Sequence, residues 1–299
     1  SFTTYGNFCT ETKHHSDVLV RLRSEISSIK QFKPTFSKLT EIGYLLKCFY
    51  KIYDDPEYEK SLRYSIGFEG YISNIKGIHT NILNKSVSMS SYTEQGYTDI
   101  KELYYPAIMD ANPVQNNCNF KNNIIITGPN ASGKTTMLKS TMINIIFSQQ
   151  FGCGFYKSST IVPYTHIHSY LNIPDTSERD SLFQAESRRC KEILDSIETN
   201  NINSRHLCIF DELYSGTNPD EAVRSAYAFL LYLTHKNNVD FMLTTHYVSL
   251  CKKIKLEPNI KNYKMDVSTN KGRIQKYTFK MIKGISKIKG GVDILEEMN

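Results

Sequence analysis

The sequence lacks several patterns that would assign it to a familiar class. No apolar run approaches the roughly 20 residues that a membrane-spanning helix requires, and the opening SFTTYGNFCTETKHH contains no apolar block typical of a secretion signal. The seven cysteines are odd in number and form no C-x-x-C pair, which argues against a disulfide framework or a zinc ribbon. These absences predict a soluble, intracellular protein without a membrane partner, and they leave its compartment open.

Length and charge set broad limits. A chain of 299 residues can form one large domain or two ordinary ones, and we expect two. The net charge of +6, with a pI near 8.8, permits binding to a polyanion without demonstrating it. Many ordinary proteins are equally basic, so charge alone does not select nucleic acid as the partner.

The first third of the chain has helical periodicity. Apolar residues recur at spacings of three and four from about residue 17 to residue 85, and Pro56 marks a break that can begin a new helix. No active-site pattern occurs in this part. The following SVSMSSYTEQGYT, residues 86–98, is rich in serine and threonine and predicts a linker. We therefore expect a helical core or lever-like region over 1–95 and a second domain over 96–299.

Strand and helix patterns alternate in the second domain. The predicted strands are 124–127, one or two between 154 and 171, 206–210 and 240–245, and the predicted helices are those ending near 149 and covering 179–197 and 219–235. Such alternation is typical of parallel strands with helices on both faces. The predicted fold class is α/β with a mainly parallel sheet, preceded by an α-helical domain.

A phosphate-binding motif lies between the first of these strands and its helix. GPNASGKTT matches G-x-x-x-x-G-K-[ST], whose glycines let backbone amides surround an anion at a helix start. Lys134 would bridge the terminal phosphates and Thr135 would place its hydroxyl on a magnesium ion. A chance match in a loop is the alternative, but the flanking strand and helix disfavour it. The expected nucleotide-binding residues are Gly128, Pro129, Asn130, Ala131, Ser132, Gly133, Lys134, Thr135 and Thr136.

Two later strand ends offer the groups that hydrolysis needs. LCIFDE places Asp211 and Glu212 after four apolar residues, so Asp211 is a candidate magnesium ligand and Glu212 a candidate for polarising the attacking water. FMLTTHY ends at His246, which could sense a γ-phosphate or be an ordinary structural histidine. His166 and His168 form an H-x-H pair, but the sequence offers no third ligand and metal binding there is disfavoured.

The order of these motifs resembles the ATPase domain of the MutS mismatch-repair family, a branch of the ABC-type ATPases. GPNASGKTT, SLFQAESRRCKEIL, DELYSGTNPDEA and TTHY follow one another as in that family, and the likeness covers roughly residues 100–299. It implies a P-loop NTPase of the ABC/MutS type that uses ATP and Mg²⁺. It also implies a homodimer or a MutS-like heterodimer that binds DNA.

The resemblance adds two site assignments. The family's signature segment, which covers the nucleotide of the partner subunit, corresponds to 181–186, and Ser181 is implied as the donor to the partner's γ-phosphate. The stretch ANPVQNNCNF is similar to the segment that contacts adenine, with Val114 implied as a packing residue and Asn116 or Asn117 as a polar neighbour. Two positions depart from the signature pattern, because Arg179 replaces a glycine and Leu182 a threonine.

These patterns lead to one function and two alternatives. The first is an ATP-hydrolysing protein that couples nucleotide state to DNA binding, in mismatch repair or a related repair or recombination process. A nucleotide-gated scaffold that dimerises with little hydrolysis is the second, because the signature departures could slow turnover. An ABC-transporter ATPase is disfavoured, since no LSGGQ-type signature is present. No candidate for a mismatch-reading domain occurs in these residues.

Overall fold

The computed structural model describes residues 3–29, 38–171, 182–199, 204–270 and 273–288. The chain divides into two compact units, Ser1–Leu83 and Asn84–Asn299. None of the helices in the described residues is long and apolar enough to cross a bilayer.

The first unit is helical, as its periodicity predicts. Its helices are α1 (Thr3–Ser27), α2 (Lys38–Asp54) and α3 (Pro56–Leu83). Val18 and Leu22 of α1 pack with Tyr58 of α3 in a small apolar core. Proline is tolerated in a first turn because the amide it lacks would have no helical partner, so α3 can begin at Pro56. Helix α1 starts well before residue 17. The periodicity did not predict its first turns, because they are mostly exposed and show no apolar pattern.

The second unit combines eleven strands and four helices in the described residues. The strands are β1 (Ser88–Tyr92), β2 (Asp99–Leu103), β3 (Asn116–Asn119), β4 (Asn123–Thr127), β5 (Cys153–Gly154), β6 (Ser158–Ile161), β7 (His166–Tyr170), β8 (His206–Asp211), β9 (Val239–Thr245), β10 (Ile260–Asn270) and β11 (Arg273–Lys283). The helices are α4 (Lys134–Phe151), α5 (Leu182–Thr199), α6 (Pro219–Thr234) and α7 (Val248–Ile254), and a 3-10 helix covers Pro106–Ala111.

The larger sheet confirms the predicted fold class. Its strand order is β11-β10-β4-β9-β8-β7, and the neighbours from β10 to β7 are parallel, while β11 is antiparallel to β10 at one edge. Parallel strands place all of their carboxyl ends along one edge of a sheet. The ends of β4, β8 and β9 therefore bring residues 128, 211–212 and 246 to the same side.

A second sheet has the order β3-β2-β6-β1-β5 and mixes parallel with antiparallel pairs. The alternation pattern does not predict this sheet. Strand β1 lies in the segment 86–98 that we expected to be a linker, so that expectation is wrong. The strand was not predicted because its partners are distant in the chain: Ser88 lies opposite Gly154, and Ser90 lies opposite Ser159.

Both faces of the larger sheet are covered. On one face, Ile125 and Phe210 of the strands pack with residues of α5, α6 and α7, such as Ile193 and Leu230. On the other face, the core includes Leu138 and other residues of α4 together with the second sheet. Alternate residues of one strand point to opposite faces, so continuous apolar runs such as Ile124–Ile126 are needed to fill both cores.

Candidate functional site

The glycine loop lies where the sequence places it, between the end of β4 and the start of α4. Gly133 has φ +94° and caps the helix, and Ala131 also has a left-handed backbone with φ +59°. A Cβ added to Gly128 would lie 2.7 Å from the Ser132 hydroxyl oxygen, and one added to Gly133 would lie 3.2 Å from Phe279. A side chain at Gly128 would therefore displace Ser132, and the backbone conformation favours glycine at Gly133.

Lys134 is almost fully buried at the mouth of this loop. Its Nζ donates hydrogen bonds to the carbonyl oxygens of Gly128, at 3.1 Å, and Pro129, at 3.2 Å. It also lies 3.7 Å from Oε1 of Glu212. The ammonium group is thus held between the loop and the acidic motif, where it can meet an anion that enters the loop.

Asp211 connects three elements at the carboxyl edge of the sheet. Its Oδ2 accepts a hydrogen bond from Thr135 Oγ1 at 2.8 Å, and its Oδ1 accepts one from Thr244 Oγ1. Asp211 and Thr244 are paired in the register of β8 and β9, which explains their contact. Sequence reasoning missed Thr244, although its position beside His246 at the end of an apolar strand was a usable signal.

Glu212 follows directly in a left-handed conformation, with φ +52°. Its amide donates to Thr244 O at 3.1 Å, so the backbone is fixed against β9. Oε2 lies 3.7 Å from Nδ1 of His246, a distance too long for a hydrogen bond, and the contact is therefore electrostatic. His246 and the charge of Lys134 lower the pKa of Glu212, although burial acts in the opposite direction. Glu212 is consequently a carboxylate at neutral pH.

A cavity of about 870 Å³ opens beside the loop, within the range of small-molecule sites. The predicted residues that line it are Val114, Asn116, Asn130, Ala131, Ser132, Gly133, Lys134, Thr135, Thr136, Asp211 and Glu212. A smaller cavity of about 400 Å³ lies against the same loop, and Gly128, Pro129, Asn130, Glu212 and His246 line it. Asn130 and Glu212 therefore border both spaces.

Strand β11 also contributes to the lining of the larger cavity, through Phe279. Asn116 fixes this strand: its Nδ2 donates to Phe279 O at 3.0 Å and its Oδ1 accepts from the Met281 amide at 2.7 Å. Asn117 instead contacts strand β2, since its Oδ1 accepts from the Glu102 amide at 2.9 Å. Phe279 lines the cavity beside Gly133, and no local pattern could have predicted that a strand so distant in the chain would supply it.

The signature residues and the H-x-H pair are not part of the geometry described so far. Ser181 and Arg179 lie outside the described residues, which resume at Leu182 with the first turn of α5. His166 and His168 are joined by His206 of β8, with His168 Nε2 3.0 Å from His206 Nδ1. Among the residues that the structure describes, no group of three His, Cys, Asp or Glu side chains is arranged to hold a metal ion.

A glycine loop between a parallel strand and a helix, with an aspartate and a glutamate at a neighbouring strand end, defines a P-loop nucleotide-binding domain. The chain belongs to the MutS family, because residues 124–299, more than half of its length, match MutS domain V, the ATPase domain of that family. The family's ATPase domain implies that the chain binds ATP.

Individual relatives agree with this assignment. The chain is 32% identical to human "MutS protein homolog 4" over 220 residues, which cover 68% of this chain and 22% of the relative. It is 29% identical to "Endonuclease MutS2" of Streptococcus equi subsp. equi over 199 residues, covering 64% and 24%. It is 28% identical to "DNA mismatch repair protein MutS" of Persephonella marina over 202 residues, covering 66% and 22%. The chain thus spans less than a quarter of the length of these relatives.

Proposed function

We propose that this chain is an ATP-hydrolysing MutS-type domain that couples its nucleotide state to DNA binding, in mismatch repair or a related repair or recombination process. The observation that carries the proposal is the contact of the glycine loop with the acidic motif. Thr135 donates to Asp211, and Glu212 lies between Lys134 and His246. Groups for binding phosphate and for activating water therefore meet at one edge of the sheet.

The same residues fit a magnesium ion. Magnesium prefers oxygen ligands and is usually held by one or two protein groups together with substrate phosphates. The Thr135 hydroxyl and the Asp211 carboxylate are oxygen donors only 2.8 Å apart, and Thr244 orients the second carboxylate oxygen. When bound there with the nucleotide, the ion would neutralise charge on the terminal phosphates.

The protein groups can be given separate tasks. The amides of the glycine loop and the start of α4 bind phosphate oxygens, and Lys134 turns from the Gly128 and Pro129 carbonyls toward the terminal phosphate. Glu212, held as a carboxylate, orients a water molecule and accepts its proton. His246 borders the smaller cavity beside Glu212 and can contact the γ-phosphate from there. Val114 and Phe279 also line the larger cavity, and we propose that the base packs against them.

Dimerisation and DNA binding rest on the relatives and on the signature resemblance. The family match supports a homodimer or MutS-like heterodimer in which Ser181 reaches the nucleotide of the partner subunit. One relative is named as a DNA mismatch repair protein, and the positive net charge of this chain is compatible with a DNA partner. ATP would close the dimer, and hydrolysis would open it.

The decisive experiment replaces Glu212 with glutamine. The near-isosteric Glu212→Gln preserves shape and removes the base, so steady-state ATP turnover should fall by about 10²–10⁴-fold. A fluorescent ATP analogue should still bind. In the presence of ATP, the variant should accumulate as a closed dimer that size-exclusion chromatography detects. Glu94→Gln, an exposed substitution in the same unit, is the matched control, and Lys134→Ala should lose nucleotide binding. Wild-type turnover in Glu212→Gln would overturn the assigned mechanism.

Turnover measured against protein concentration separates this function from the scaffold alternative. A hydrolysing dimer should gain specific activity as it assembles, whereas a scaffold should dimerise with ATP and turn over no nucleotide. DNA coupling is tested by ATP-dependent binding of mismatched, branched and plain duplexes at one stated salt concentration, because phosphate contacts depend strongly on salt. Equal affinity for the three duplexes would exclude recognition of a particular DNA structure.

A further inference from the structure

A buried carboxylate behind the site has no task in the mechanism above. Glu186 of α5 is only 2% exposed, yet it lines the larger cavity. Its Oε1 accepts hydrogen bonds from the Ser215 amide at 2.9 Å and the Ser215 hydroxyl at 3.0 Å, and its Oε2 accepts one from the Gly216 amide at 3.1 Å. A buried charge is costly unless it is fully bonded, so these three donors hold its position.

The three donors belong to the acidic-motif turn, which we define as residues 213–217, directly after Glu212. Packing ties the same turn to the start of α5. A Cβ at Gly216 would lie 2.7 Å from Leu182 Cγ and 2.9 Å from the Phe183 amide nitrogen. The rings of Phe183 and Tyr214 are 5.6 Å apart. Backbone approach, ring packing and the Glu186 hydrogen bonds therefore join the turn to the first helical turns of α5.

The two joined elements serve different nucleotides in the proposed dimer. Glu212, which directly precedes the acidic-motif turn, belongs to the site of its own chain. The first turn of α5 follows directly after Ser181, which is assigned to the nucleotide of the partner. A displacement of the α5 start would move Glu186, and its hydrogen bonds would carry that displacement to the turn and to Glu212.

We infer that Glu186 is a positioning residue that couples the signature segment to the Glu212 carboxylate, so that contact with one nucleotide adjusts hydrolysis of the other. This inference rests on the proposed function. Glu186 makes none of the loop hydrogen bonds that hold Lys134 or Thr135. Its loss should therefore lower the rate of hydrolysis much more than the affinity for nucleotide.

The test compares Glu186→Gln with Glu192→Gln. Glutamine keeps the size of the Glu186 side chain. Its NH₂ group cannot accept a hydrogen bond, so it would face one of the donors on Ser215 or Gly216 that Glu186 now accepts from. Glu192 is an exposed glutamate on the same helix, bound only to Arg189 in the described contacts, and it is the matched control. Misplacement of a catalytic group by about 1 Å can cost about 10²-fold in rate, so kcat should fall by about 10–100-fold in Glu186→Gln. The Kd for a fluorescent ATP analogue should change less than about 3-fold, and Glu192→Gln should match wild type.

Ser215→Ala supplies a milder second perturbation, because it removes the hydroxyl donor and leaves both amide donors. The two substitutions act on one network, so their effects on kcat should be clearly non-additive in the double variant. An unchanged kcat in Glu186→Gln would refute the inference. Equal loss of kcat and nucleotide affinity would also refute it, since that result indicates a general structural role.

Hydrogen–deuterium exchange separates failure of this inference from failure of the proposed function. If wild type does not hydrolyse ATP, the proposed function fails, but exchange can still be measured. ATP should protect both α5 and the acidic-motif turn in wild type and in Glu192→Gln. In Glu186→Gln the turn should exchange faster and lose its ATP-dependent protection, while α4 stays protected. Identical exchange in the turn of all three proteins would overturn the coupling.

Discussion

The histidine cluster at the edge of the larger sheet should make the second unit sensitive to acid. His166 and His168 of β7 lie beside His206 of β8, with ring centroids 4.7 Å and 5.3 Å from that of His206. Burial and the neighbouring imidazoles lower the pKa of His168 to about 4, and Arg189 of α5 adds a further positive charge nearby. Burial and His166 also lower the pKa of His206.

The sign and size of the effect follow from this pKa. An unfolded chain protonates His168 near pH 6.5, whereas the folded one does so near pH 4. The unfolded state therefore binds more protons between these values, so stability is full above pH 6.5 and falls as pH drops toward 4. At about 1.36 kcal/mol for each pKa unit, the upper bound is about 3.4 kcal/mol. Because the side chain is partly exposed, solvent screening reduces the expected loss to about 1–2 kcal/mol.

His168→Gln tests this directly. Glutamine keeps hydrogen-bonding capacity toward His206 but does not titrate, so acidification from pH 7.5 to pH 4.5 should destabilise the variant less than wild type. For a unit of this size the difference corresponds to about 2–8 °C in melting temperature by circular dichroism. His79→Gln, at an exposed position of α3, should melt like wild type at both pH values. The same acid-induced loss in His168→Gln and wild type would refute the reasoning.

Two further substitutions probe the lining of the larger cavity and the core beside α4. Phe279→Ala should weaken ATP binding by about 5–30-fold, because stacking and burial of an aromatic ring contribute roughly 1–2 kcal/mol. Inorganic triphosphate should bind as before, and equal losses for both ligands would contradict this role. Leu138→Ala should lower the free energy of unfolding by about 2–5 kcal/mol in urea titrations, because Leu138 is fully buried in the core that α4 forms with both sheets. A change below about 1 kcal/mol would contradict this packing.

The parts of the site that were predictable are those written in consecutive residues. The glycine loop, with Lys134 and Thr135, and the acidic motif with Asp211 each follow an apolar strand, and the parallel arrangement places their ends together. Thr244 and Phe279 were not predicted, because their positions depend on strand register and on a β10–β11 hairpin. The serine-rich β1 was not predicted to be a strand for the same reason, since its pairing partners lie more than 60 residues away in the chain.

Leu182, which departs from the family's signature pattern, packs closely against Gly216. Its Cβ and Cγ would lie 2.8 Å and 2.7 Å from a Cβ at position 216, so this side chain occupies the space that Gly216 leaves open. Leu182 therefore packs against the acidic-motif turn of its own chain. A substitution at position 182 should therefore act on the turn that follows Glu212. We expect the effect of a Leu182 substitution on ATP turnover to be non-additive with substitutions at Gly216 and Glu186, because all three residues meet at the start of α5.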